Sequence, residues 1–249
     1  MKKVNIIMML SGGRDSFLSA CRLLESDSRY RLKTVTYDNG CSYCSRNAKK
    51  VSDRLARKYK RNGKSRVKYL GVYKITSVIR DFFFPYFNMK PTEQAERFSG
   101  MTPSQFHCLI CRTSMYIYSI WLAMLNGAAF IAEGGRKSQG FVVELPGMSK
   151  ERYPALVESA GFKLLLPVYD LSDDWERDNE LLARGFLCKS KEPKCLLGYP
   201  LADSVDDSVI EGVHAYYDEI ILPLICKKRL LSMDNAERYI GNDYDELEL

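Results

Sequence analysis

The sequence predicts an α/β fold: a five-stranded parallel sheet with helices on both faces and a short helical C-terminal extension. Three observations carry that expectation. Short continuous apolar runs, the mark of strands buried on both faces, alternate with segments of helical period. The first run ends in a glycine pair that opens a helix. The chain has 249 residues, 46% hydrophobic and 27% charged, which suits one large domain with a modest appendix and argues against disorder.

Val4–Leu10 reads as the first strand, and Asp15–Leu24 as a helix with Phe17, Ala20, Cys21 and Leu24 on one face. Leu32–Tyr37 is the second strand, closed by Asp38-Asn39-Gly40. Ala48, Val51, Leu55 and Tyr59 fall at helical spacing, and Arg66–Val72 is a third strand. Ile75–Phe84 is helical and stops at Pro85. Residues 88–107 are polar, hold two prolines and read as a loop or lid. Arg112–Leu125 is apolar nearly all round, hence a buried helix, and Ala128–Ala132 is the fourth strand. Pro154–Ala160 is helical, Lys163–Val168 is the fifth strand, and Ser172 caps a helix reaching about Ala183. A last helix spans Asp206–Arg229, and the acidic residues from Asp234 fray.

No stretch approaches the roughly 20 apolar residues of a membrane helix, and no cleavage pattern follows the N-terminal apolar run. The chain therefore reads as cytoplasmic, with no membrane partner. Structural disulfides are not expected in a reducing compartment. His107 and His214 are the only histidines, so Ser-His-Asp catalysis is not expected. His107 adjoins Cys108 and is within reach of a metal or proton-shuttle role, but reads more simply as a surface or supporting residue.

Ser11-Gly12-Gly13-Arg14-Asp15-Ser16 lies between the first strand and its helix. Glycines let backbone approach an anion closely, and the helix start offers unpaired N–H groups and the positive dipole end. Ser11 and Ser16 add hydroxyls, and Asp15 caps the helix or holds magnesium. The string is neither a Walker loop nor G-x-G-x-x-G. It resembles the PP-loop motif SGGxDS of the N-type ATP pyrophosphatases, a resemblance covering residues 4–170. That family includes tRNA thiolation enzymes, GMP synthetases and deazaguanine nitrile synthases.

The resemblance implies a Rossmann-like, adenine nucleotide alpha hydrolase-like sheet, with an ATP-binding domain at 1–184 and a cysteine-bearing loop and helix at 185–249. It implies ATP and Mg2+ held by Ser11, Gly12, Gly13, Asp15 and Ser16, and a nucleoside near Asp38 or Gly40. Gly134 and Gln139, after the fourth strand, face the same cleft. Lys137 or Arg136 steadies the charge of pyrophosphate, so Asp15 and Lys137 are the catalytic candidates. The shared chemistry adenylates a carbonyl oxygen, releases pyrophosphate and lets a nucleophile displace AMP.

The eight cysteines include two C-x-x-C pairs, Cys41/Cys44 and Cys108/Cys111, a spacing that asks for metal, cluster or redox chemistry. Cys108 and Cys111 sit at the expected start of the buried helix, where the dipole and Arg112 favour thiolates. A C-x-x-C with a distant cysteine resembles the cluster-bearing sulfurtransferase branch of the same family, including LarE-like sulfur insertion. That implies a 4Fe–4S cluster on Cys108, Cys111 and Cys195, with Cys188 in reserve. Zinc on two pairs of these cysteines is the alternative. Cys41/Cys44 stands beside the expected ATP site, as a persulfide carrier or a tight turn.

Arg46–Lys68 holds eleven Lys/Arg and one acid, Asp53, an excess larger than the +6 of the whole chain. Arg54, Arg57 and Arg61 belong to this run. It is either a solvated face or a landing strip for RNA phosphates. The expected function is thus an ATP-dependent sulfurtransferase acting on a tRNA base or a small molecule, with the sulfur donor unassigned and a homodimer allowed. The rivals are an amide or nitrile synthase with structural zinc, and a non-catalytic nucleotide-binding partner protein.

Overall fold

The computed structural model describes residues 2–43, 47–98, 101–137, 145, 147–187, 189, 194–197 and 206–245. Cys44, Gln139 and Cys188 lie outside them. In chain order the first elements are β1 (Val4–Met9), α1 (Arg14–Ser26), β2 (Tyr30–Asp38), β3 (Ser42–Tyr43), α2 (Asn47–Lys58), β4 (Lys60–Arg61), β5 (Lys64–Ser65) and β6 (Val67–Lys74). Then come α3 (Thr76–Phe87), α4 (Pro91–Phe98), α5 (Pro103–Leu125), β7 (Phe130–Ala132), α6 (Tyr153–Ser159), β8 (Lys163–Leu165) and α7 (Asp174–Ala183). The last are β9 (Lys194–Cys195), α8 (Asp207–Tyr216), α9 (Leu222–Lys227), α10 (Met233–Asp243) and β10 (Tyr244–Asp245).

The five expected strands form the parallel core of the sheet, in the order β6-β2-β1-β7-β8. β10 adds a sixth, antiparallel strand beside β6, where fraying was expected from Asp234. The alternation of side chains along β1 divides the core. Ile7 and Met9 pack with α5 and its neighbours, while Ile6, Met8 and Leu10 pack against α1 and α2.

Three further expectations change. The polar stretch 88–107 holds α4 and the first turn of α5 instead of a lid. Thr102 and Gln105 form a reciprocal capping box with Pro103 in the first turn, so the helix begins there. Pro85 lies inside α3, close to its end. Asp173, not Ser172, caps α7 by accepting from Glu176 N at 2.8 Å.

α5 is also long and apolar enough to cross a membrane by length and composition, contrary to the sequence expectation. Here it is a core helix, mostly buried. Its Trp121 Nε1 donates to Leu230 O at 2.6 Å and its indole stacks on Tyr239 of α10. The C-terminal helices thereby cover α5.

Candidate functional site: a phosphate loop facing a thiol cluster

The sheet order reverses at β1, with β2 on one side and β7 on the other. Such a switch point opens a crevice at the carboxyl ends of the strands. A cavity lies there, lined by Ser11, Gly13, Asp15 and Ser16 of the loop and by Asn39, Arg112 and Cys195.

The loop is shaped by its own residues. Gly12 adopts φ +91°, a region only glycine enters freely. Ser11 Oγ accepts from Gly13 N at 3.1 Å, and Ser16 Oγ donates to Gly13 O at 3.1 Å. Gly13 starts α1 with no side-chain cap, so the first-turn amides keep capacity for an anion. Gly134 closes the loop from the side: a Cβ there would stand 2.3 Å from Ser16 N.

Asp15 is fixed by two buried arginines. Its Oδ1 meets Arg136 Nε at 2.9 Å and Arg177 at 3.2 Å. Arg177 also reaches Asp174 at 2.9 Å and Asp178 at 2.8 Å, and Arg14 reaches Asp178 at 2.5 Å. Burial alone would lower the Arg177 pKa, but Asp178, Asp15 and Asp174 outweigh it and raise it. The same arginines hold Asp174 below the ordinary carboxylate range against its partial burial. Arg136 is therefore built into the loop's support, while Lys137 is exposed and outside the cavity lining.

After β2 the chain turns on itself. Asp38 Oδ1 accepts from Gly40 N at 2.9 Å, and Gly40 has φ +77°. Neither residue lines the cavity; Asn39 and Ser42 do. The Asn39 amide nitrogen stands 3.4 Å from Cys111 Sγ, 3.5 Å from Cys195 Sγ and 3.4 Å from His107 Nε2. Cys195 Sγ is in turn 3.8 Å from His107 Nε2. Cys111 and Cys195 thus share one amide, and Cys108 lies a turn before Cys111 on α5, which brings the pair chosen by spacing beside the cysteine that the resemblance added. Cys41 joins them: β3 pairs with β9 and Leu196 N donates to Cys41 O at 3.0 Å.

The thiolate argument from a helix start does not survive. α5 begins at Pro103, so Cys108 and Cys111 lie more than a turn inside it, beyond the reach of the dipole's end. Burial instead pushes Cys111 up to about 12, against the Asn39 hydrogen bond. His107 is buried, not superficial, and desolvation lowers its pKa. Its Nδ1 is buried without a hydrogen-bond partner. Sequence reasoning missed Asn39 as the hub and Arg112 as the wall cation, which pairs with buried Glu133 at 2.6 Å.

Cys108, Cys111 and Cys195 are soft sulfur donors of the kind that both zinc and iron–sulfur clusters take. Among the described residues no group of three or more His, Cys, Asp or Glu is arranged to hold a metal ion; both zinc sets expected from the sequence include Cys44 or Cys188, which lie outside those residues.

No family model and no curated protein matches the chain. Among solved structures, a 4-thiouridine synthetase in complex with RNA and bound ATP is similar over 92% of this chain, at 16% identity and TM-score 0.55. The chain spans 54% of that protein's length. The U34-tRNA thiolase NcsA from Methanococcus maripaludis, with its [4Fe-4S] cluster, aligns over all of this chain and 76% of its own, at 15% identity and TM-score 0.47. The likeness to the synthetase is one of fold: a parallel α/β sheet whose first strand runs through Ser11–Ser16 into a helix.

Proposed function

We propose that this chain is an ATP-dependent RNA sulfurtransferase: it adenylates a carbonyl oxygen of a tRNA base, releases pyrophosphate and replaces that oxygen with sulfur. One observation carries the reading. The phosphate loop and Cys195 line a single cavity together with Asn39 and Arg112. An adenylated base gripped by the loop would present its carbon to sulfur in the same cavity. The similarity to an RNA-bound synthetase supports the reading at the level of fold.

The loop amides and Ser11 and Ser16 would bind the triphosphate, and Asp15 would hold magnesium in the position set by Arg136 and Arg177. Arg112 would offset negative charge as pyrophosphate departs. Cys108, Cys111 and Cys195 would hold a 4Fe–4S cluster, which when bound supplies an iron site able to carry sulfur. Asn39 would donate hydrogen bonds to two of those sulfurs. Lys137, exposed and outside the cavity lining, is given no part in this reading.

The direct test is anaerobic incubation with ATP, magnesium, sulfide and unfractionated tRNA. Equal release of AMP and pyrophosphate and a thiolated nucleoside by mass spectrometry are expected; AMP formation without nucleoside sulfur refutes the reading. Two substitutions separate the halves of the site. Asp15→Asn is expected to lower AMP formation about 10²–10³-fold while the far-ultraviolet circular dichroism stays that of the parent. Cys108→Ala is expected to lose iron and the broad visible absorbance of the reconstituted protein while ATP still binds in calorimetry.

A further inference from the structure

The amino ends of the strands, at the opposite edge of the sheet from the phosphate loop, border a second cleft. Five of its lining residues are cations: Lys3, Arg29, Arg31, Arg61 and Lys64, with no carboxylate in the lining. The nearest acid, Asp27, is engaged by Arg29 at 2.7 and 2.9 Å. The other guanidinium groups rest on neutral acceptors. Arg31 donates to Ser28 O and Tyr30 O at 2.9 Å, and Arg61 to Ser28 Oγ at 2.9 Å. Behind them Arg66 donates to Leu24 O and Asp27 O. Burial lowers its pKa first, and Arg31 and Arg61 add to the effect.

The β4–β5 hairpin sharpens this crowding. Asn62 and Gly63 turn it with φ +50° and +73°, the conformations of a tight two-residue hairpin loop. That loop sets Arg61 directly opposite Lys64. Like charges across a strand pair are unfavourable, and both residues are exposed, so packing does not require them. An anion in the cleft removes the conflict.

We propose that this cleft is a phosphate-backbone site for RNA, gripping the acceptor at a distance from its reacting base. This rests on the RNA reading above and adds where the polyanion lies. α2 connects the two edges of the sheet, a rise of about 18 Å for its length. Lys50, Arg57 and Lys58 are exposed along it, and it leads into the hairpin. A lone phosphate needs only about two or three cations; five around one cleft, with further exposed cations on the helix that leads to its hairpin, match a chain of phosphates.

The experiment is fluorescence anisotropy of labelled unfractionated tRNA between about 50 and 200 mM salt. Lys3→Gln/Arg61→Gln/Lys64→Gln is expected to weaken binding tenfold or more and to reduce the slope of log affinity against log salt by about two to three. Arg61→Lys, which keeps the charge, should stay near the parent, and ATP affinity and melting temperature should not move in either variant. A triple variant with parental affinity and slope overturns the cleft and leaves the proposed function standing. Parental protein that ignores tRNA but binds phosphatidylserine vesicles overturns both, in favour of a lipid surface.

Discussion

Gly134→Ala is expected to abolish ATP binding, and the reason is steric. The added methyl would meet Ser16 N at 2.3 Å, Ser16 Cα at 2.4 Å and Asp15 C at 2.7 Å. All three are backbone atoms of the first turn of α1, so no side chain can swing aside. Over-packing usually costs about 1–3 kcal/mol, and a contact this short with backbone belongs at or above the top of that range. Relief requires β7 and α1 to move apart, which displaces the amides that face the phosphates. Calorimetry should show at least a hundredfold loss of ATP affinity, with a lower melting temperature. Parental affinity would mean that the loop does not hold nucleotide in this conformation.

Arg177→Met is the second large effect. The Arg177 side chain is 3% exposed and contacts Asp15, Asp174 and Asp178. Removing one partner from a fully buried ion pair typically costs about 3–5 kcal/mol; here Asp174 is 61% exposed, so water screens part of the repulsion among the carboxylates and the loss is expected to fall below that range. Urea denaturation checks the loss. Arg177→Lys should recover part of it, since an ammonium keeps the charge but cannot fork between carboxylates.

The pH dependence has a definite sign. Asp174 has a lowered folded-state pKa, so its contribution is complete above the ordinary Asp value and disappears as pH falls through the lowered one. Arg177→Met raises that folded-state value and should move the acid-unfolding midpoint upward. An unchanged midpoint would show that Arg136 alone sustains the network.

Much of this was legible in the sequence because it is local. Apolar runs mark strands such as Val4–Leu10, and a glycine pair after one of them marks the tight turn into α1. The C-x-x-C of α5 is one helical turn, so Cys108 and Cys111 were bound to be neighbours. The start of α5 was legible too, in Thr102-Pro103 and Gln105, but the surrounding polarity masked it. Arg177 and Asn39 were not legible. Arg177 meets Asp15 across 162 positions of chain, and nothing in the residues near either announces that pairing. Asn39 reads as a turn former; only the packing of α5 under the turn makes it a donor to sulfur. β10 is two residues long and carries no periodicity.

The pairing of Tyr244 with Tyr73 has a consequence for the nascent polypeptide. During translation the outer edge of β6 waits for a segment made long afterwards, on the order of ten seconds or more at ordinary elongation rates. For that interval its open amides and carbonyls are a template for any other extended chain nearby. Shielding by a chaperone matters between emergence of β6 (Val67–Lys74) and arrival of Tyr244 and Asp245.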